Sequence, residues 1–161
     1  MNKIAFIRTG GETGVDRAAL DVARKFNIKI VGWCPKNGWV EDMPHSPGIR
    51  LFYPELKETP KKDVSQRTKW SVRDSHATLI INPKLSKFSK ETNLTELVAK
   101  EYKRPYLEVE SEDIDKIIDF LNKLGNELTL NIGGPRESEC PKAYQIATNI
   151  LEKVFKVVSD K

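Results

Sequence analysis

Apolar positions recur along the chain in two rhythms, one of short continuous runs and one of helical spacing. Lys3-Ile-Ala-Phe-Ile-Arg8 is a short apolar run that stops at Thr9-Gly10-Gly11, as a buried strand entering a turn does. Val15, Ala18, Ala19, Val22, Ala23 and Phe26 then mark a helix over Gly14 to Phe26. Ile28-Lys-Ile-Val-Gly-Trp33 reads as a second strand, completing a β-α-β unit whose connection is expected to be right-handed. Cys34 to Thr59 is a long proline-containing stretch with Gly38, Gly48, Trp39, Phe52 and Tyr53, predicted to be an ordered excursion on the site side of the domain.

The second half repeats the alternation. Asp63 to Asp74 has helical character, and His76-Ala-Thr-Leu-Ile-Ile-Asn82 is a third strand ended by Pro83. After a basic loop over Lys84 to Lys90, a helix is expected over Thr92 to Tyr102 and a short strand over Pro105 to Val109. Ile114, Ile117, Ile118, Leu121 and Leu124 mark a helix with Gly125 as its C-cap; Leu128 to Ile132 is the last strand, and Pro141 is expected to open a terminal helix. Strands alternating with helices throughout predict one layered α/β domain with a mostly parallel sheet of about five strands or more.

Composition narrows the class. The chain has 161 residues, 39% of them hydrophobic and 31% charged, enough for one core with a polar surface. Its 27 basic and 23 acidic residues are interleaved, leaving +4. That suits a binder of small anions and makes nucleic-acid binding through Lys84, Lys87 and Lys90 the last-ranked reading. Cys34 and Cys140 form neither a C-x-x-C pattern nor a disulfide framework, and His45 and His76 have no metal-ligand spacing. With no signal-peptide pattern and no membrane-length apolar run, the cytoplasm is the expected location.

The richest segment is Thr9-Gly10-Gly11-Glu12-Thr13-Gly14-Val15-Asp16-Arg17, a glycine loop between strand and helix where backbone N–H groups and the helix N-terminus suit a phosphate. The plain alternative is a tight turn in which Thr13 caps the helix and Asp16 closes a capping box. Its spacing is neither G-x-G-x-x-G nor G-x-x-x-x-G-K-[ST], so dinucleotide and P-loop sites are unsupported. Asn131-Ile-Gly133-Gly134-Pro-Arg136-Glu-Ser138 is a second such loop, and in a parallel sheet both lie on the carboxyl edge, with Arg136 and Ser138 as donors. Their alternative is a solvated turn in which Arg136 pairs with Glu137 or Glu139. Arg67, Trp70, Ser71 and Asp74 share a helical face, where Trp70 offers a stacking surface; otherwise Trp70 is core and Arg67 a surface partner of Asp63. Arg73-Asp74 is placed to brace or reach a loop.

Four segments in the same order resemble the putative molybdenum carrier family: Gly10 to Asp21, Gly32-Trp-Cys-Pro-Lys36, Arg67 to Ser75, and Gly134-Pro-Arg-Glu-Ser138. That family belongs with the SLOG, or lysine-decarboxylase-like, superfamily, which includes the cytokinin-activating phosphoribohydrolases and the DNA-processing protein of bacterial transformation. The resemblance implies a single Rossmann-like three-layer domain over 1–161, homo-oligomeric as a dimer or tetramer, binding a phosphorylated pterin- or nucleotide-like ligand, with the molybdenum cofactor as named candidate. The ligand residues are then Gly10, Gly11, Thr13, Gly14, Asp16, Arg17, Arg73, Asp74, Gly133, Gly134, Arg136 and Ser138. The chain departs from its relatives after the third strand, where Phe88-Ser-Lys-Glu-Thr-Asn-Leu-Thr-Glu96 lacks any glycine. Thr92 is the expected cap there, with Lys87 and Lys90 as compensating charges. The enzymatic alternative, N-glycosidic hydrolysis of nucleoside monophosphates, would use Asp16, Glu91 or Glu96 as acid-base groups.

Overall fold

The computed structural model describes residues 2–84 and 89–159; Lys87 and Phe88 lie outside the described residues. In chain order the elements are β1 (Ile4–Arg8), α1 (Val15–Lys25), β2 (Lys29–Val31), β3 (Trp33–Cys34), β4 (Lys57–Glu58) and α2 (Val64–Arg73). There follow β5 (Ala77–Ile81), α3 (Lys90–Glu101), β6 (Tyr106–Val109), α4 (Ile114–Asn122), β7 (Leu128–Gly133) and α5 (Ala143–Ser159). Five strands form one all-parallel sheet in the order β2-β1-β7-β5-β6. All five residues of β5 are buried, as a strand covered on both faces requires.

The last strand of the chain lies in the middle of the sheet, between β1 and β5. Joining the two ends of the chain and opening it between β2 and β5 would renumber the sheet 2-1-3-4-5, a doubly wound order. Asn2 and Ser159 border the same surface cavity, so the ends are neighbours. In this order the strand direction of winding reverses between β5 and β7, and ligands of open α/β sheets bind above such a reversal. α1 and α4 both pack on α5 to form one helical layer, and α2 packs on α3 in the other. The apolar spacing of α1 is realised, with Val15, Ala18, Ala19, Val22 and Ala23 buried.

Four boundaries differ from the sequence reading. The predicted strand Ile28–Trp33 divides at Gly32, because a Cβ there would lie 2.0 Å from the Thr9 carbonyl oxygen and the chain must leave the main sheet. Trp33–Cys34 pairs instead with Lys57–Glu58 in a small second sheet. The excursion between them is ordered and buries Val40, Ile49, Tyr53 and Leu56. The cap of α3 is Ser89, whose Oγ accepts from the Thr92 N–H at 3.1 Å, so Thr92 itself lies inside the helix. The C-cap of α4 is Lys123, with Gly125 two residues beyond at φ +92°. α5 starts at Ala143, not Pro141, because the Glu137 carboxylate accepts from the Lys142 and Tyr144 amides at 2.8 and 2.9 Å and Lys142 takes φ +72°.

Candidate functional site

A cleft opens above the β5/β7 reversal, at the carboxyl ends of β1 and β7. The β1–α1 turn supplies Gly10, Glu12 and Asp16, and the end of β7 supplies Asn131, Gly133, Gly134 and then Arg136. α2 presents Arg67, Thr68 and Ser71, while the first turns of α3 present Ser89, Glu91 and Thr92. The cleft measures about 40 Å³, room for a few waters or a small anionic group. The positive end of α3 faces into it.

Arg67 is the least expected member. It is only 4% exposed, and its Nη1 has no hydrogen-bond partner among the described residues. Its stem crosses Gly10, where a Cβ would lie 2.5 Å from Cδ and 2.7 Å from Nε. Gly10 therefore serves to admit the guanidinium. Asp63, its presumed surface partner in the sequence reading, instead caps α2 by accepting from the Ser65 N–H at 2.9 Å. A buried cation without an acceptor is costly, so this position favours an anion.

The carboxylates around Arg67 are only partly engaged, and the buried Glu12 Oε2 has no hydrogen-bond partner among the described residues. Glu12 Oε1 accepts from the Thr13 and Glu41 amides, both at 2.9 Å. Glu139 accepts from the Arg136 amide at 2.9 Å, and Glu91 from the Thr68 hydroxyl at 2.9 Å. Burial, reinforced by the neighbouring Glu12 charge and opposed by Arg67, pushes the Asp16 carboxyl up to about 7. It therefore adds little negative charge below neutrality. The Arg136 guanidinium makes long contacts only, 3.8 Å to Glu12 and 4.0 Å to Glu41, and lies 5.8 Å from the Trp39 ring centre. The Arg136 guanidinium pairs with neither Glu137 nor Glu139, the neighbours expected from sequence; Glu139 meets only its backbone amide.

The structure brings Gly10, Asp16, Gly133, Gly134 and Arg136 to the cleft and places the other sequence-derived candidates elsewhere. Gly11 packs on Leu56 and Ile49. Gly14, not Thr13, is the N-cap of α1, and no side chain caps that end, so the capping-box alternative does not hold. The Thr13 hydroxyl donates to Glu41 and accepts from the Glu137 N–H at 3.1 Å. The Ser138 hydroxyl also donates to Glu41, at 2.6 Å. Burial would raise the Glu41 carboxyl, but the hydrogen bonds from Ser138 and Thr13 hold it below its ordinary value. Arg17 donates to the Gly11 carbonyl and forms a two-toothed pair with Asp42 on the outer face.

Arg73 and Asp74 build a brace. Asp74 accepts from Arg73 at 2.7 Å and from Trp33 Nε1 at 2.8 Å, and the Arg73 hydrogen bond holds its carboxyl below the ordinary range. Trp70 meets Trp33 edge to face at 4.9 Å and lies under Arg73, so it stacks within the protein. The helical face proposed for α2 thus splits, with Arg67 and Ser71 toward the cleft and Trp70 and Asp74 toward β3. Of the acid-base candidates, Asp16 and Glu91 line the cleft, whereas Glu96 binds Tyr106 and Lys100. Among the described residues no group of three or more His, Cys, Asp or Glu side chains could hold a metal ion, and no helix is long and apolar enough to cross a membrane.

Residues 7–155 match the model of the circularly permutated YpsA SLOG family. The crystal structure of the Putative molybdenum carrier protein from Syntrophus aciditrophicus SB is similar to this chain, with a TM-score of 0.82, 35% identity and 96% of each chain covered. No curated protein matches. The sheet order of this chain is that of a circularly permuted doubly wound sheet, in keeping with the family's description, and the match over residues 7–155 places the chain in the circularly permutated YpsA SLOG family.

Proposed function

We propose that the cleft binds a phosphorylated ligand of the pterin or nucleotide class. The observation that carries this reading is the unpartnered, buried Arg67 Nη1 beside the α3 N-terminus at the winding reversal. A phosphate there would accept from Arg67, approach Gly133 closely and meet Arg136 from the rim, while Gly134 is glycine because a Cβ would lie 2.2 Å from the Ile81 carbonyl oxygen. The name of the Syntrophus relative makes the molybdenum cofactor the first pterin to try. The family resemblance implies a homo-oligomer, which native mass spectrometry measures directly.

The test is calorimetric titration with inorganic phosphate, nucleoside monophosphates and phosphorylated pterins. Arg136→Ala is expected to weaken binding by ~1.5–3 kcal/mol, the range for a charged hydrogen bond. Phosphate affinity unaltered in both Arg67→Met and Arg136→Ala would overturn the reading. Asp16 favours a second one: a cleft carboxyl raised to about 7 suits general acid-base work on an N-glycosidic bond. Release of free base from a panel of nucleoside monophosphates, lost in Asp16→Asn, supports hydrolysis; silence across the panel removes it.

A further inference from the structure

Next to the cleft lies a second and larger cavity, of about 430 Å³, walled by Trp39, Pro44 and Val64 and flanked by Lys36 and Lys62. Among the described residues none lines both spaces, but α2 and the Arg136–Trp39 contact connect them. Val64 and Arg67 stand one helical turn apart on α2, a rise of about 4.5 Å, so one faces the cavity while the other reaches the cleft. Arg136, which lines the cleft, has its guanidinium 5.8 Å from the centre of the Trp39 ring, which lines the cavity.

We propose that the flat ring of this ligand stacks on Trp39 in the second cavity while its phosphate occupies the Arg67 cleft. The inference rests on the anion reading of that cleft and extends it to a second subsite. The sizes divide the ligand: the cleft, about 40 Å³, suits a phosphate-sized group, whereas about 430 Å³ falls in the range of small-molecule pockets. Because the guanidinium of the cleft residue Arg136 lies 5.8 Å from the centre of the Trp39 ring, a short linker such as a sugar or a methylene chain would reach from one space to the other. A cavity lined by an indole, a proline and a valine suits a flat ring, because stacking accepts any π-face. Lys36 and Lys62 give the cavity a positive edge, complementary to an anionic ligand or to ring carbonyls. Arg136 lies where it can contact the linker or phosphate from the Trp39 side.

Calorimetry on the full chain with two probes, inorganic phosphate and guanosine 5′-monophosphate, separates the two levels. The expected result is that the nucleotide binds more tightly than phosphate, and that Trp39→Ala removes about tenfold or more of nucleotide affinity while phosphate affinity stays unchanged. Trp39→Phe, which keeps a flat face, retains most of the nucleotide affinity. Lys62→Glu, at an exposed position that does not endanger folding, weakens the nucleotide more than phosphate. Phosphate binding with nucleotide affinity indifferent to Trp39 and Lys62 overturns the ring subsite and leaves the anion cleft standing. Failure of both probes to bind overturns the subsite together with the reading beneath it.

Discussion

A Cβ on Gly14 would lie 2.4 Å from the carbonyl oxygen of Pro135, and the Val15 N–H donates to that same oxygen at 3.3 Å. The two glycine loops therefore touch, and the third glycine of the first loop exists for that contact. Gly14 has φ +80° and ψ −129°, a region essentially closed to residues with a side chain. Gly14→Ala is expected to destabilise by ~2–4 kcal/mol, combining backbone strain with overpacking. Gly125→Ala is the control, since it also has positive φ but meets nothing within 4 Å and is expected to cost only ~1–2 kcal/mol. Urea denaturation of both variants checks the difference; equal losses would mean the loop contact contributes nothing.

Arg67 sets stability against binding. Removing an unpartnered buried guanidinium relieves a desolvation penalty, so at about pH 5, where the Asp16 carboxyl is neutral in the folded state, Arg67→Met is expected to leave the ligand-free protein as stable as before or more so, by ~1–3 kcal/mol. The same variant loses the extra stabilisation that phosphate gives the wild type by mass action. Denaturation midpoints with and without phosphate at matched ionic strength read both effects. A variant that is less stable yet still responds to phosphate would show that Arg67 is a structural residue.

Asp74 is expected to act on stability alone. Asp74→Ala leaves the Trp33 indole N–H without its acceptor and frees Arg73, a loss of ~1–3 kcal/mol. Phosphate affinity should not change, because neither Arg73 nor Asp74 lines the cleft. Thermal unfolding and a phosphate titration of the same sample separate the two; a fall in affinity would return this pair to the binding site.

Much of this fold was legible because its strands are continuous apolar runs and its helices are strongly amphipathic. β5 and α1 declare themselves in that way, and the glycine loops could be assigned to one sheet edge from strand direction alone. The central position of β7 was not legible, since periodicity carries no information on which strands pair. Gly10 illustrates the limit within the site. Its glycine was read as a phosphate approach, whereas the crowding there comes from Arg67, which is fifty-seven positions away and arrives only through the packing of α2. Glu41 was invisible for the same reason: it lies in the irregular excursion, yet it accepts from both Thr13 and Ser138 and ties the two loops to that excursion. Residues that reach one another across irregular chain leave no spacing to read.

Asp16 ties binding and stability to pH. Its carboxyl is raised to about 7 by burial, with Glu12 adding to the shift and Arg67 opposing it, so the folded state favours the neutral acid. Stability from this source is fully present below the ordinary carboxylate value, near 3.8, and is lost as pH rises through about 7. Asp16→Asn keeps a neutral side chain throughout, so the variant should match the wild type at about pH 4 and exceed it at about pH 8 by on the order of a few kcal/mol. Ionisation also places a negative charge beside the anion site. Sulfate, whose own charge is constant over this range, should bind the wild type more weakly at about pH 8 than at about pH 6 and bind Asp16→Asn equally at both. Arg67→Met should move the stability transition to higher pH, because the Arg67 charge is the first of the influences holding the Asp16 carboxyl down. A wild-type sulfate affinity that does not vary across neutrality would show that Asp16 ionises in its ordinary range or faces away from the bound anion.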